Sequence, residues 1–213
     1  MNKTADMIQK RIDEYTDRIN RLKTNDLYFY NQPVEEVLGG SKVVVNGKTM
    51  DMFASYSYLG LVGHPRINKA AQSAIEKYGT GTHGVRTLAG SLMIHKELEE
   101  TLAQFKHTED ALTFTSGYVT NLSVISTLVA RGDIVFCDKL NHASIYDGCL
   151  LSHAKFERFE HNNLIDLEER LSSAPQASTK LVIVDAVFSM DGDLVDLPAL
   201  SAICKKYHAW LMV

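Results

Sequence analysis

Cysteine is scarce in this sequence. The three present, Cys137, Cys149 and Cys204, are an odd number without a C-x-x-C pair. That argues against a disulfide framework or a clustered zinc site and for buried thiols in a reducing compartment. An excess of one charge is also missing. Twenty-two basic and 26 acidic residues are well mixed, with a formal net charge of −4, so there is no electrostatic footprint for nucleic acid or an anionic membrane, and a small-molecule partner is favoured. No apolar run reaches transmembrane length, and residues 1–19 are charged every few positions without the apolar core of a signal peptide, which makes the cytoplasm the expected location. Internal repeats, low-complexity tracts and Pro- or Ser-rich linkers after residue 60 are absent as well. What is present is a 45% hydrophobic composition with a mean hydropathy near zero, enough to bury a substantial core.

The apolar pattern predicts an arm over 1–60 and one larger α/β body over 61–213. Met7, Ile8, Ile12, Tyr15, Ile19 and Leu22 recur at helical spacing among charged neighbours, the pattern of an amphipathic helix. Asn46-Gly47 between two extended segments predicts a tight hairpin. Helical periods over 67–78 and 92–105 precede apolar runs at 111–114, 134–137, 181–187 and 210–213. Helix-like stretches over 143–152, 164–172 and 197–207 alternate with the last three runs, which predicts a mostly parallel sheet with flanking helices. The final run, Ala209-Trp210-Leu211-Met212-Val213, has no turn or polar tail after it and reads as a chain cut in mid-strand.

Three strand ends carry the chemistry. Phe114-Thr115-Ser116-Gly117-Tyr118 runs from an apolar segment into a helix. Free N–H groups and the helix dipole there favour a phosphate, Ser116 adds a hydroxyl and Gly117 permits close approach, although Ser116 reads equally well as a plain N-cap. His142, in Asn141-His142-Ala143-Ser144, follows a strand and opens a helix, where an imidazole can stack on a ring or serve structure alone. Ser189, beyond the strand that precedes Asp185, is a candidate donor to a ring or phosphate. Asp191-Gly192 next to it reads equally well as a simple turn. Asp191, Asp193 and Asp196 lack the further ligands of a calcium loop, so no metal is expected. Gly79-Thr80-Gly81-Thr82-His83-Gly84 matches G-x-G-x-x-G but follows a helix rather than a strand, so it fails as a dinucleotide fingerprint and is either a structural turn or a site of close approach. Arg86 could meet a carboxylate or phosphate, or form a surface ion pair.

Taken in order, Tyr58-Leu59-Gly60-Leu61, Gly79-x-Gly81, Gly90-Ser91, His95-x-x-Leu98-Glu99, Ser116-Gly117-Tyr118, Asn141-His142-Ala143-Ser144, His161-Asn162 and Val187-Phe188-Ser189-Met190-Asp191-Gly192-Asp193 resemble the α-oxoamine synthase family. The resemblance implies the aspartate-aminotransferase-like fold (PLP fold type I) and pyridoxal 5'-phosphate (PLP) as cofactor. It implies condensation of an amino acid with an acyl-CoA, usually with loss of carbon dioxide, in a homodimer with the Gly79–Gly84 loop near the partner. It further implies cofactor contacts from Ser116, Gly117, Tyr118, His142 and Ser189, with His142 stacked on the PLP ring and orienting the substrate as the catalytic residue. The family's pyridinium-binding aspartate and Schiff-base lysine are expected beyond Val213, so the chain as it stands is expected to be inactive. Neither Lys205 nor Lys206 matches the lysine motif. Alternatives are a non-catalytic partner subunit and another fold type I PLP enzyme, such as an aminotransferase. Ser57 and Asp185 depart from the residues common in the family and leave the amino acid and acyl-CoA unassigned.

Overall fold

The structure, a computed structural model, describes residues 3–213, with side chains described from Asp6 onward. Contacts divide the chain into two compact units, residues up to Ser91 and Leu92–Val213. The sequence pattern opened the larger body earlier, at residue 61. The segment between includes the helix Pro65–Tyr78, which buries none of its residues.

The first unit contains α1 (Lys3–Thr24), a three-stranded antiparallel sheet of β1 (Glu36–Gly39), β2 (Lys42–Val45) and β3 (Lys48–Asp51), and α2 (Pro65–Tyr78). Helix α1 forms where the amphipathic spacing predicts it, with Ile8, Ile12, Tyr15 and Ile19 left exposed. The β2–β3 hairpin turns at Asn46 and Gly47, both at positive φ, 50° and 69°, as a two-residue turn matched to strand twist requires. Val43 and Val45 share one face of β2 and are buried. Strand β1 has no counterpart in the sequence pattern, because its short Glu-Val-Leu-Gly stretch is exposed and irregular, with a bulge between Val37 and Gly39.

The second unit is a three-layer α/β/α body. Helices α3 (Met93–Lys106) and α4 (Gly117–Leu128) lead to β4 (Ile134–Asp138), α5 (Ala143–Ser152), β5 (Lys155–Phe159), α6 (Leu164–Ser173), β6 (Lys180–Ile183), α7 (Leu197–Lys206) and β7 (Trp210–Met212). All four strands are parallel, in the order β5-β4-β6-β7. A parallel sheet covered on both faces needs strands apolar on both sides, and β4 and β6 are buried at every residue. Alternation sorts their side chains. Phe136 and Val182 join Phe159, Leu167, Leu171 and Leu200 in one core, while Val135, Cys137 and Ile183 join Ile125, Ile145 and Cys149 in the other. All three cysteines are free buried thiols, and burial pushes Cys204 up to about 11.

Two strand expectations are corrected. The apolar run at 111–114 forms no strand, because no neighbour supplies a ladder. The Thr113 N–H instead donates to the Glu99 carboxylate at 2.8 Å, and Leu112 is exposed. Strand β5 was missed because Lys155, Glu157 and Arg158 break its apolar pattern. Its one neighbour in the sheet is β4, and charge is what an edge strand tolerates.

The topology locates the site. From β4 the chain crosses through α5 to β5 on one side, whereas from β6 it crosses through α7 to β7 on the other. Loops leaving the carboxyl ends of β4 and β6 therefore diverge, and such a switch point in an open α/β sheet opens a crevice for a ligand.

Candidate active site

At the switch point the two strands are tied together by side chains. Asn141 is buried; its Nδ2 donates to the Ile183 carbonyl at 2.8 Å, and its Oδ1 accepts from the Asp185 N–H at 2.9 Å. Asp185 returns the tie by accepting from the His142 N–H at 2.8 Å. Asp138, wholly buried at the end of β4, accepts from the N–H groups of Leu140 at 2.8 Å and Asn162 at 2.9 Å and also faces His161. These bonds supply most of what a buried carboxylate needs in place of water.

His142 caps α5, with Nδ1 accepting from the Ser144 N–H at 3.2 Å. The Ser144 hydroxyl lies 2.7 Å from the same nitrogen and itself accepts from Asn121 Nδ2 at 2.8 Å. With Nδ1 engaged as an acceptor, the neutral ring carries its proton on Nε2. The chain Asn121–Ser144–His142 thus fixes the ring plane while the residue stays exposed.

Ser116 caps α4. Its Oγ accepts from the Val119 N–H at 3.2 Å, and its carbonyl accepts from the Thr120 N–H at 3.0 Å. Among the described residues the N–H groups of Gly117 and Tyr118 make no hydrogen bond, which leaves them at the positive end of the helix. A Cβ placed on Gly117 would meet nothing within 4 Å. The Tyr118 hydroxyl is hydrogen-bonded to Asp147, and that bond holds the phenol above its ordinary value. The Tyr118 ring lies edge-on to His142, centroids 6.3 Å apart. The close approach of α4 and α5 depends on Gly148, where a Cβ would come 3.0 Å from the Asn121 carbonyl oxygen and from Ile125.

The structure therefore brings Ser116, Gly117, Tyr118 and His142 to one neighbourhood on the carboxyl side of the sheet. Ser189 lies exposed in the turn that follows β6, with no hydrogen bond from its side chain to those four. Asp191-Gly192 forms that turn, with Gly192 at φ 73°. Lys205 and Lys206 fall in the last turn of α7, at the opposite edge of the sheet, where Lys206 pairs with Glu168 at 2.7 Å. In the first unit the glycine loop is internally close-packed: a Cβ on Gly90 would sit 1.9 Å from the Gly84 carbonyl oxygen. Arg86 Nε there donates to Ser91 Oγ at 3.1 Å. No group of three or more His, Cys, Asp or Glu able to hold a metal occurs among the described residues, and none of their helices is long and apolar enough to cross a membrane.

Sequence reasoning gave no role to Asp138, Asn141, Ser144 or Asp185. Asp138 and Asp185 each end an apolar run, and a polar residue at the carboxyl end of a parallel strand is the signal that could have found them.

Comparison with known proteins places the chain in a family. Residues 49–213 match the model of the family described as Aminotransferase class I and II. The 8-amino-7-oxononanoate synthase of Geobacter sulfurreducens is 51% identical over 174 residues, 82% of this chain and 44% of the relative. The serine palmitoyltransferase of Sphingobacterium spiritivorum is 44% identical over 92% of this chain and 49% of its own. Among solved structures, a serine palmitoyltransferase variant from S. paucimobilis with PLP and myriocin bound superposes with a TM-score of 0.91 at 35% identity, covering 95% of this chain and 53% of that one. The chain thus spans about half the length of the curated relatives it matches. A parallel sheet with its switch point between β4 and β6, a family match over most of the chain and an ordered set of motifs agree: the chain belongs to the aminotransferase class I and II family, in its α-oxoamine synthase branch.

Proposed function

We propose that this chain is the amino-terminal half of a PLP-dependent acyltransferase that condenses an amino acid with an acyl-CoA, releasing CoA and usually carbon dioxide to give an α-oxoamine. The observation that carries the reading is the meeting of a free helix N-terminus, at Ser116, Gly117 and Tyr118, with the capped, exposed ring of His142 beside the switch point. The residues fit the cofactor. Two unpaired N–H groups and an open Gly117 suit a phosphate at the helix end, and the Ser116 hydroxyl proton is still available to donate. The flat, anchored imidazole of His142 suits a stacked pyridine ring, and the exposed Ser189 hydroxyl suits a polar group on it.

PLP, when bound, supplies an electron sink for the negative charge that develops at the Cα of an amino acid. This chain's part is orientation. The Asn121–Ser144–Nδ1 relay prevents His142 from rotating and directs Nε2 outward, so the imidazole can hold the ring and the reacting groups in a near-attack arrangement. Gly117 and Tyr118 anchor the phosphate end, and the hydroxyl of Tyr118, tied to Asp147, keeps its ring from swinging across the site. The whole protein is read as a homodimer, and the buried free thiols support a cytoplasmic setting.

The test is to titrate the whole protein with PLP, follow its visible absorption, and then assay CoA release across a panel of amino acids and acyl-CoA thioesters. Saturable absorbance with amino-acid-dependent CoA release is the expected result. Absorbance with amino-group transfer and no CoA release would favour an aminotransferase, and no absorbance would favour a non-catalytic partner subunit.

A further inference from the structure

A second polar cluster lies at the carboxyl edge, beside the residues assigned to the cofactor. His161 follows β5. Its Nδ1 lies 2.9 Å from Asp138 Oδ1, its Nε2 lies 2.8 Å from Asp193 Oδ2, and its ring stands edge-on to buried Phe188 at 4.4 Å. A neutral imidazole has one N–H and can donate to one carboxylate only. The other contact would then set a nitrogen lone pair against an oxygen lone pair. Both distances are met together when the ring carries two N–H groups and a positive charge.

Both carboxylates need that charge. Asp138 is wholly buried. Asp193 has one oxygen, Oδ1, that is buried without a hydrogen-bond partner among the described residues. Its other oxygen is met by His161 and by Asn162 Nδ2 at 2.6 Å. An unsatisfied buried carboxylate oxygen is costly unless a cation stands beside it.

The cluster bears on Ser189 through the turn. Residues 188–193 close on themselves, the Phe188 N–H donating to the Asp193 carbonyl at 3.0 Å and the Gly192 N–H to the Phe188 carbonyl at 2.8 Å, with an isolated bridge between Val187 and Leu194. Ser189 and Met190 at its tip are exposed. The turn is attached to the β4–β5 side of the sheet by Asp193, through His161 and Asn162, and by Phe188 lying against the His161 ring.

We propose that His161, as an imidazolium clamped between Asp138 and Asp193, is a positioning residue that pins the 188–193 turn, and with it Ser189, to the carboxyl end of β4. The role of Ser189 rests on the PLP reading; the clamp itself does not. The titratable groups around His161 are Asp138 from β4, Asp193 from the turn, Glu160 paired with Lys139 on its own loop, and Asp166 of α6, which accepts from the Glu160 N–H and pairs with Arg170. Desolvation acts to lower the His161 value, but the hydrogen bonds and charges of Asp138 and Asp193 outweigh it and hold the ring above its ordinary 6.5. A raised folded value makes the clamp fully effective below pH 6.5 and loosens it as pH rises through the folded value.

The test uses the whole protein with three readouts: imidazole NMR of His161, hydrogen exchange over residues 186–194, and PLP affinity as a function of pH. The expected results are two N–H groups on the His161 ring at neutral pH and turn protection that declines as pH rises through the ring's titration. His161→Gln should speed exchange in the turn about tenfold, the scale of one lost charge-assisted hydrogen bond, and abolish that pH dependence in both exchange and PLP affinity. Ser189→Ala should weaken PLP binding and leave the exchange unchanged. A single neutral tautomer at neutral pH, or unaltered exchange in His161→Gln, overturns the clamp. If His161→Gln does not fold, the ring protonation and pH-dependent exchange of the unsubstituted protein decide. Absence of PLP binding in the unsubstituted protein would refute the cofactor reading while the exchange and NMR results still judge the clamp.

Discussion

The two units of this chain use the same kinds of residue to different ends. In the first, Phe53, Tyr56 and Tyr58 are 94%, 95% and 88% exposed, and α2 buries nothing. In the second, Phe136, Phe159 and Phe188 are at most 1% exposed. Burial is therefore set less by residue type than by whether layers exist to close over a side chain. A parallel sheet with helices on both faces makes two cores. Three short antiparallel strands bury Val43 and Val45 along one face of β2. The site follows the same division, since fixing His142 within a narrow geometry takes a rigid framework of the second kind.

Substitutions in the whole protein sharpen the contrast. Phe136→Ala, at the centre of the sheet, should cost about 3–5 kcal/mol in chemical denaturation, the range for emptying a packed aromatic site; a loss below about 1 kcal/mol would mean that the second unit is not the rigid one. His142→Ala should cost about 0.5–2 kcal/mol of stability, the loss of the cap on α5, while turnover falls about 100-fold, the scale of misplaced reacting groups. Equal losses of stability and activity would instead make His142 an ordinary cap. Phe53→Ala should change the stability of the second unit by less than about 0.5 kcal/mol, and a larger effect would erase the distinction between the units.

Much of the second unit could be read from the residues. The apolar runs that became β4 and β6 lie in a doubly covered sheet, where burial on both faces writes continuous hydrophobicity into the sequence, and the apolar run of β7 pairs beside β6 with Trp210 exposed. Strand β5 hid because its edge position admits Lys155, Glu157 and Arg158, and the run at 111–114 misled because apolar composition does not supply a pairing partner. Ser116 was legible as a helix cap and His142 as a residue that follows a strand and opens a helix, both local signals. The Asn141–Asp185–His142 tie and the Asp138–His161–Asp193 cluster were not, since their bonds join residues 23 to 44 positions apart that only the strand order brings together. Gly117 was legible as a place of close approach, and the geometry adds that no atom of the described residues lies within 4 Å of a Cβ built there.

Gly117 gives the most direct test of the central claim, that α4 presents its N-terminus to the phosphate of PLP. In Gly117→Ala the new methyl group meets no atom of the described residues within 4 Å, and alanine in a helical position is as stable as glycine or more so. The measurement is the PLP dissociation constant of the Gly117→Ala protein alongside its unfolding midpoint. A midpoint that holds or rises, together with PLP binding weakened about tenfold or more, about 1.4 kcal/mol, is the predicted result. Unchanged PLP affinity at unchanged stability would contradict the assignment and move the phosphate site elsewhere.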